Sequence, residues 1–510
     1  MLFCLTLHSL LNSLSSDLRV GYLDDVTLGG DVHTVSNDVA RVQTDGAAIG
    51  LHLNTSKCEV ICQSQCPLGV SISQFKLVPT DQAVLLGAPL FPGASLDKAL
   101  SDSHVEMSTG QNRLALITAH DALLLLKSSM STPKLTHLLR AAPCAGHSAL
   151  AALDKILHSS ISVLLNSDLS DDQWAQASLP VKSGGLGIRK PSHLAPSAFL
   201  SSVNATRAMQ RLILPGQSVD QSAYEDCALK AWSELTSASV PADTATGKQR
   251  EWDRPVVQAE VERLLSLQTD DTSRARLLAA SAPHSGDWLH AIPISSCGLR
   301  LDDEAIRVAV GLRLGTNLCA PHACVCDEFV DARGLHSLSC KKNSARISRH
   351  NALNDIIHRS LLRASVPPTK EPSGLLRSEG KRPDGATQIP WSAGKCLAWD
   401  VTVTDTLAPS YVSSSATSAS SAAERAAAMK VAKYVSLSST HEFVPIAVET
   451  LGPLNASALT FLTALGKRLF QTTGDPRETS FLFQRISVCV QRFNSLSLRA
   501  TFGTLLADDL

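Results

Sequence analysis

The sequence predicts an α/β protein with several domains. Its 510 residues exceed what a single hydrophobic core usually organises. Short β-branched segments that end at Gly or Pro predict strands and tight turns, and longer segments with apolar residues at helical spacing lie between them. Four cysteines and two histidines crowd between residues 319 and 340. That cluster predicts a small module stabilised by metal among larger domains.

The composition is that of a globular protein, with 44% hydrophobic and 18% charged residues. A formal net charge of −1 means that any nucleic-acid site must be a local feature of the surface. Thirteen cysteines spread over a long chain do not resemble a secreted disulfide scaffold. The apolar start lacks the basic region and cleavage site of a signal peptide, and strictly apolar runs such as residues 122–126 are too short to span a membrane. We therefore expect an intracellular protein without a membrane partner.

A tight hairpin is predicted over residues 21–30, with Asp24 and Asp25 at its turn. Asp is a common turn residue that bonds its own backbone, so the pair could be purely structural. Alternatively, two adjacent carboxylates could bind Mg²⁺ (or Mn²⁺) for phosphoryl transfer. The residues alone leave both interpretations open.

Three further segments accompany this hairpin. Residues 1–16 predict a helix, residues 50–59 read GLHLNTSKCE, and residues 84–90 predict an apolar strand. Together with the Asp24–Asp25 hairpin they resemble successive palm motifs of a non-LTR retrotransposon reverse transcriptase. The resemblance implies that Asp24 and Asp25 are catalytic metal ligands and that Lys57 lies near the incoming nucleotide, whereas alone Lys57 could be a solvated surface lysine. The family's third catalytic carboxylate is expected before residue 1, so we expect an incomplete polymerase site.

The middle of the chain is predominantly helical. Apolar residues at helical spacing between 150 and 164 predict a core helix. The glycine-rich segment around 184–187 lacks the spacing of a phosphate-binding loop, so we interpret it as a bend between helices. Residues 179–202 also resemble the thumb region of the same reverse transcriptases. Residues 302–315 predict an amphipathic helix with acidic residues in its first turn.

The Cys/His cluster has the spacing of a zinc site. Cys324, Cys326, His336 and Cys340 form a C-x-C-x9-H-x3-C pattern, and three thiolates with one imidazole suit a closed tetrahedral Zn²⁺ site. Cys319 and His322 could each replace one of these ligands. The other interpretation is a set of buried cysteines near a surface histidine.

The segment after the cluster is strongly basic, with ten Lys or Arg against three Asp or Glu between residues 341 and 382. It predicts a helix with a buried stripe formed by Ile347, Leu353, Ile356, Ile357 and Leu361. Basic residues beside a zinc module favour contact with phosphates, although an ordinary solvated helix face would look similar. The residues predicted to bind nucleic acid here are Arg349, His350, Asn351, Lys381 and Arg382.

A hairpin with two acidic residues follows. Asp384 precedes a predicted strand at 386–389, and Asp400 lies on the next strand at 395–404. A helix over 422–437 carries Lys430 and Lys433. These features resemble the PD-(D/E)xK restriction-like nuclease core, which implies that the two carboxylates hold Mg²⁺ and that a lysine assists. Thr402 stands at the usual lysine position, so either Lys430 or Lys433 would have to serve from the helix.

The order of these segments resembles the C-terminal part of a non-LTR retrotransposon protein with a restriction-like endonuclease, over about residues 1–200 and 310–500. The resemblance implies a nuclear protein that nicks target DNA and uses the freed end to prime reverse transcription of the element RNA. The alternative is a non-catalytic, zinc-dependent nucleic-acid-binding remnant of an inactive element. The predicted divisions are a partial palm (1–100), a helical thumb-like region (101–235), a linker with helices (236–315), a zinc module (316–345), an endonuclease domain (346–470) and C-terminal helices (471–510).

Overall fold

The computed structural model describes residues 2–62, 69–214, 222–242, 246–375 and 382–502. It is a mixed α/β chain, as the sequence predicts. The chain divides into two compact units. The first comprises Met1–Glu106, Lys134–Asp154 and Pro191–Val256, and the second comprises Met107–Pro133, Lys155–Lys190 and Val257–Leu510.

The elements follow the chain in this order. The helices are α1 (Leu2–Ser13), α2 (Val32–Ala48), α3 (Ala94–Leu114), α4 (Ala119–Ser128), α5 (Thr132–Ala141), α6 (Ser148–Leu165), α7 (Asp171–Ala177), α8 (Pro191–Ile213), α9 (Ala223–Leu235), α10 (Gln249–Leu267), α11 (Asp271–Ser281), α12 (Asp303–Leu314), α13 (Ala345–Arg363), α14 (Val412–Ser415), α15 (Ser421–Lys433), α16 (Ala456–Thr473) and α17 (Glu478–Arg499). The strands are β1 (Leu18–Tyr22), β2 (Asp25–Gly29), β3 (Glu59–Ile61), β4 (Lys76–Val78), β5 (Val84–Leu85), β6 (Ala88–Pro89), β7 (His322–Ala323), β8 (Phe329–Val330), β9 (Pro368–Lys370), β10 (Gly385–Ser392), β11 (Lys395–Thr404) and β12 (His441–Glu449).

The predicted N-terminal hairpin is confirmed in the first unit. Strands β1 and β2 pair antiparallel, and Tyr22 lies opposite Asp25 across a two-residue turn. The buried Asp38 of α2 fixes the approach to this hairpin, because its Oδ2 atom accepts hydrogen bonds from the backbone N–H groups of Ser15 (2.7 Å) and Ser16 (2.6 Å). Each of those N–H groups would otherwise need another partner.

The predicted strand over residues 84–90 is wrong. Leu86 and Gly87 both have positive φ angles, 49° and 79°, and they reverse the chain between β5 and β6. Two consecutive positive φ angles are characteristic of the tight turns that join antiparallel strands. The apolar run therefore forms a small hairpin rather than one continuous strand.

Helix α6 is long and apolar enough to cross a membrane by length and composition alone, and it is the one such helix in the described part of the chain. Leu150, Leu153, Leu157 and Ile161 on this helix are all buried within the fold. A core helix of a globular protein passes the same test of length and hydropathy. Its burial agrees with the predicted core helix.

A four-stranded sheet organises the C-terminal part of the second unit, in the order β12-β11-β10-β9. Strands β11 and β12 are parallel, and the other neighbours are antiparallel. One face packs against α13, α16 and α17 through buried residues such as Trp399 and Val401. The opposite face is covered by α15 and by the short 3-10 helix that follows it. Because both faces are covered, Asp400 is buried although it lies opposite the apolar face predicted for β11.

The buried stripe of α13 differs from the prediction at its N-terminal end. Leu353, Ile356, Ile357 and Leu361 are buried as predicted, but Ile347 is 69% exposed. The inward position belongs to Arg349, which is 2% exposed and donates a hydrogen bond from Nη1 to Asn494 Oδ1 of α17 (3.0 Å). A hydrogen-bonded guanidinium with a long aliphatic stem can occupy such a place.

The helix predicted over residues 302–315 is confirmed as α12, with Asp303 and Glu304 in its first turn. Asp302 is its N-cap and accepts a hydrogen bond from the backbone of Ala305, and Gly315 ends it in the left-handed conformation. Its residues Val308 and Leu312 share a buried cluster with Leu338, Leu451 and Leu498. This cluster joins the Cys/His segment to the last long helix.

Candidate functional site

The four predicted zinc ligands lie together. Their ligand atoms are all within 4.8 Å of one another, with Cys324 Sγ 3.7 Å from Cys340 Sγ and Cys326 Sγ 3.1 Å from His336 Nε2. A tetrahedral Zn²⁺ ion with Zn–S bonds of about 2.3 Å places its sulfur ligands roughly 3.8 Å apart. The chain therefore forms a Cys3His site whose geometry suits zinc.

Local backbone geometry produces this convergence. Between β7 and β8 the chain turns tightly at Asp327, where φ is 72°, and the N–H of Cys324 donates to the carbonyl of Glu328 at 2.9 Å. A short 3-10 helix at Leu335–Leu338 carries His336, and the N–H of Cys340 donates to the His336 carbonyl at 3.0 Å. The two halves of the ligand set are thus each held by backbone hydrogen bonds.

The two thiols of the first half differ in acidity. Burial raises the pKa of Cys324 to about 11, whereas a hydrogen bond from the backbone of Glu328 lowers the pKa of Cys326 to about 7. Because the thiolate is the form that binds metal, zinc binding must release the Cys324 proton near neutral pH.

The two alternative ligands have other contacts. Cys319 Sγ donates to the carbonyl of Asp331 at 3.5 Å. His322 Nε2 is 2.8 Å from Thr501 Oγ1, and its ring stacks on Phe502 with 4.0 Å between centroids. The geometry therefore favours the Cys324, Cys326, His336 and Cys340 set.

Asp384 and Asp400 meet across the β10–β11 hairpin. Gly385 of β10 pairs with Trp399 of β11, so the preceding residue, Asp384, lies beside Asp400. The Asp384 Oδ2 atom accepts a hydrogen bond from the Val401 N–H at 2.6 Å. Asp400 is 3% exposed. A Cβ on Gly385 would lie 2.0 Å from the Trp399 ring, so only glycine allows this close approach.

The structure distinguishes the two candidate lysines. Lys430 Nζ lies 2.5 Å from Asp400 Oδ1, while Lys433 is exposed and its Nζ lies 4.6 Å from the centre of the Tyr434 ring. Thr402, at the position where the nuclease family usually has its lysine, lies two residues after Asp400 on β11. Of the two alternatives left open by the sequence, the geometry favours Lys430.

Two more side chains surround this carboxylate pair. His350 Nε2 is 3.3 Å from Asp384 Oδ1, and this hydrogen bond raises the pKa of His350. Tyr434, which is 1% exposed, donates to the Arg382 carbonyl at 2.6 Å. Burial raises the pKa of Tyr434, and the nearby Asp400 carboxylate raises it further. Sequence reasoning missed Tyr434, although it lies one turn after Lys430, at the C-cap of α15.

The residues predicted to contact phosphates have different fates. The predicted phosphate contact of Arg349 is wrong, because its guanidinium is buried and hydrogen-bonded to Asn494. His350 faces Asp384, while Asn351 and Arg382 are exposed. Lys381 lies outside the described residues. In the first unit, Lys57 is exposed at the end of a short 3-10 helix.

Asp24 and Asp25 are both exposed at the turn of their hairpin, next to Leu23 with a φ of 55°. Within the described residues, the Cys3His set is the one group of three or more Cys, His or acidic side chains whose ligand atoms cluster. Each Asp pair therefore supplies two carboxylates without a third acidic ligand beside it among those residues.

The glycine-rich segment turns its carbonyl groups inward. Arg313 donates from Nε to the Gly185 carbonyl (3.1 Å) and from Nη2 to the Val181 carbonyl (2.7 Å). Gln176 Nε2 donates to the carbonyl of Gly184 at 3.0 Å. A phosphate cradle would have to present N–H groups, so the predicted bend is confirmed.

Comparison with models of known protein families and with curated protein sequences found no significant match.

Proposed function

We propose that the chain is a retroelement-derived nuclease that hydrolyses one strand of DNA in a Mg²⁺-dependent reaction. The observation that carries this proposal is the convergence of Asp384, Asp400 and Lys430 from two strands and a helix. Two carboxylates that can bind a metal and an adjacent lysine are the groups expected for metal-assisted phosphodiester hydrolysis.

The residues present fit a divalent cation. Asp384 Oδ2 accepts from the Val401 N–H and Oδ1 lies 3.3 Å from His350 Nε2, but each carboxylate oxygen has a second lone pair that could bind a cation, and the buried Asp400 adds a second carboxylate. Asp384 and Asp400 would hold the ion, which supplies Lewis-acid activation of the phosphate and of a water molecule. Lys430 lies at Asp400, where its amino group would offset negative charge that develops on the phosphate.

The resemblance to non-LTR retrotransposon proteins extends the proposal to reverse transcription. Asp24 and Asp25 lie exposed at a hairpin turn, where a nucleic acid or nucleotide could reach them. We propose that this hairpin is a reverse-transcriptase palm element and that residues 101–235 are thumb-like. The partners would be a DNA target and the element RNA in the nucleus, and nicking would supply the 3′ end for reverse transcription.

Conversion of supercoiled plasmid to the open circle tests the nuclease. The variants Asp384→Asn and Asp400→Asn keep the side-chain shape and remove the charge, so nicking should fall by about 100-fold or more, since loss of even outer-shell partners costs up to that factor. Asp475→Asn is the matched control, because Asp475 is an acid between α16 and α17 whose partner is Arg477. Equal nicking by wild type and Asp384→Asn would refute the assignment.

A second candidate function is zinc-dependent nucleic-acid binding without catalysis. Thr402 at the usual lysine position favours it, as do two exposed residues, Arg382 two positions before Asp384 and Asn351 next to His350 in the sequence. DNA binding that persists in Asp384→Asn, with no Mg²⁺-dependent cleavage by any variant, would select this function.

A further inference from the structure

Helix α13 brings two side chains to Asp384 from outside the sheet. We infer that His350 is a positioning residue that orients the Asp384 carboxylate toward the metal, rather than a contact to nucleic-acid phosphates. This inference rests on the proposed metal-dependent nuclease function.

The backbone at Asp384 is fixed independently of His350. The Asp384 carbonyl accepts hydrogen bonds from Asn354 Nδ2 (3.3 Å) and from the N–H of Glu371 (3.1 Å). Asn354 is itself held, because its Oδ1 accepts from Trp399 Nε1 at 2.8 Å. What remains to be set is the direction of the carboxylate group.

Two contacts set that direction. The Val401 N–H donates to Asp384 Oδ2 at 2.6 Å, and His350 Nε2 lies 3.3 Å from Oδ1. With one oxygen bound on each side, rotation about the terminal side-chain torsion is restricted. A carboxylate ligand held in this way pays less ordering entropy when it binds a metal.

His350 is suited to this role by its own support. Its side chain is 34% exposed, and the neighbouring Arg349 anchors the same turn of α13 to Asn494. One of its two ring nitrogens, Nε2, is directed at Asp384. A neutral imidazole with its proton on Nε2 can make this contact, and the charged form makes a stronger one.

Binding of Mn²⁺, followed by electron paramagnetic resonance on the zinc-loaded full chain, tests the role directly. The variants are His350→Ala and His350→Gln, with the exposed neighbour Asn351→Ala as the matched control. All are made with Asp24→Asn and Asp25→Asn, so that Mn²⁺ at the hairpin does not contribute. Fluorescence anisotropy measures DNA affinity in parallel.

His350→Ala should weaken Mn²⁺ binding by about 10- to 100-fold, the usual loss for a partner of a metal ligand. His350→Gln should recover part of it, since its amide N–H can reach the same oxygen. DNA affinity should be unchanged in His350→Ala, and Mn²⁺ affinity should be unchanged in Asn351→Ala.

Three results would overturn the inference. They are unchanged Mn²⁺ affinity in His350→Ala, a loss confined to DNA affinity, or no Mn²⁺ binding by the starting protein. If His350→Ala does not fold, as judged by circular dichroism, the comparison of His350→Gln with Asn351→Ala decides. Mn²⁺ binding that depends on His350 in a protein that never nicks DNA would refute the proposed function and leave the positioning role intact.

Discussion

At the scale of single residues, burial decides which of two similar side chains takes part in the site. Lys430 and Lys433 are three positions apart on α15, yet only Lys430 reaches the buried Asp400. Their spacing puts both near one helix face, so periodicity alone could not choose between them. The choice follows from where α15 packs on the sheet.

Substitution of these lysines should separate their roles. Lys430→Met should lower the nicking rate by about 100-fold, because it removes a positive charge from the reacting group, whereas Lys433→Met should leave nicking unchanged. Lys430→Met also leaves a buried carboxylate without its partner, so thermal unfolding should occur at a lower temperature. Plasmid nicking and melting curves measure the two effects, and equal losses of nicking in both variants would contradict the assignment of Lys430.

Arg349 shows why a basic segment is a poor guide to a binding surface. Its charge predicted phosphate contact, but its guanidinium is hydrogen-bonded to Asn494 inside the fold, while the apolar Ile347 is exposed. Burial lowers the pKa of Arg349 to about 10, so the group remains charged at neutral pH. Only the packing of α17 against α13 creates the inward position, and a local sequence pattern carries no information about that contact.

At the scale of elements, features with local causes could be predicted and those with distant causes could not. The acidic first turn of α12 and the β1–β2 hairpin depend on neighbouring residues, and both agree with the sequence. The close approach of the four zinc ligands also follows from their spacing. The Leu86–Gly87 turn was missed because an apolar run conceals a reversal set by two backbone angles. Tyr434 and the His350–Asp384 contact depend on how helices pack on the sheet.

The zinc module and α13 are linked elements. Asn343, three residues after Cys340, accepts from the Ala345 N–H at the start of α13 and donates to the Ser497 carbonyl at 2.8 Å. Arg346 of α13 donates back to the Cys340 carbonyl at 3.5 Å. Since α13 carries His350 and Asn354 to Asp384, zinc binding should stabilise the carboxylate site as well as its own loop.

Loss of a zinc ligand should therefore affect more than metal content. Cys340→Ser should lose bound zinc, lower the melting temperature by about 10 °C and reduce nicking, because the start of α13 loses its support. Cys297→Ser is the control, since Cys297 is an exposed free cysteine. Elemental analysis, calorimetry and plasmid nicking measure the three effects. Full nicking by zinc-free Cys340→Ser would show that the two elements are independent.

At the scale of the whole molecule, the two Asp pairs belong to different compact units. Asp24 and Asp25 lie in the first unit, and the contacts described for Asp384, Asp400 and Lys430 all come from residues of the second. The proposed nicking chemistry is thus complete within the second unit. The polymerase resemblance, by contrast, depends entirely on the first.

This separation predicts that the two activities can be removed one at a time. In the full chain, Asp24→Asn with Asp25→Asn should leave the plasmid nicking rate and its Mg²⁺ dependence unchanged, because the residues proposed for nicking all belong to the second unit. Any RNA-templated extension of a DNA primer should disappear in the same variant, since two carboxylates that could bind metal are lost. Asp384→Asn should lose plasmid nicking but keep any RNA-templated extension from a DNA strand that already carries a nick. A loss of nicking in the Asp24 and Asp25 variant would mean that the hairpin takes part in strand cleavage, and the assignment of that chemistry to the second unit alone would be wrong.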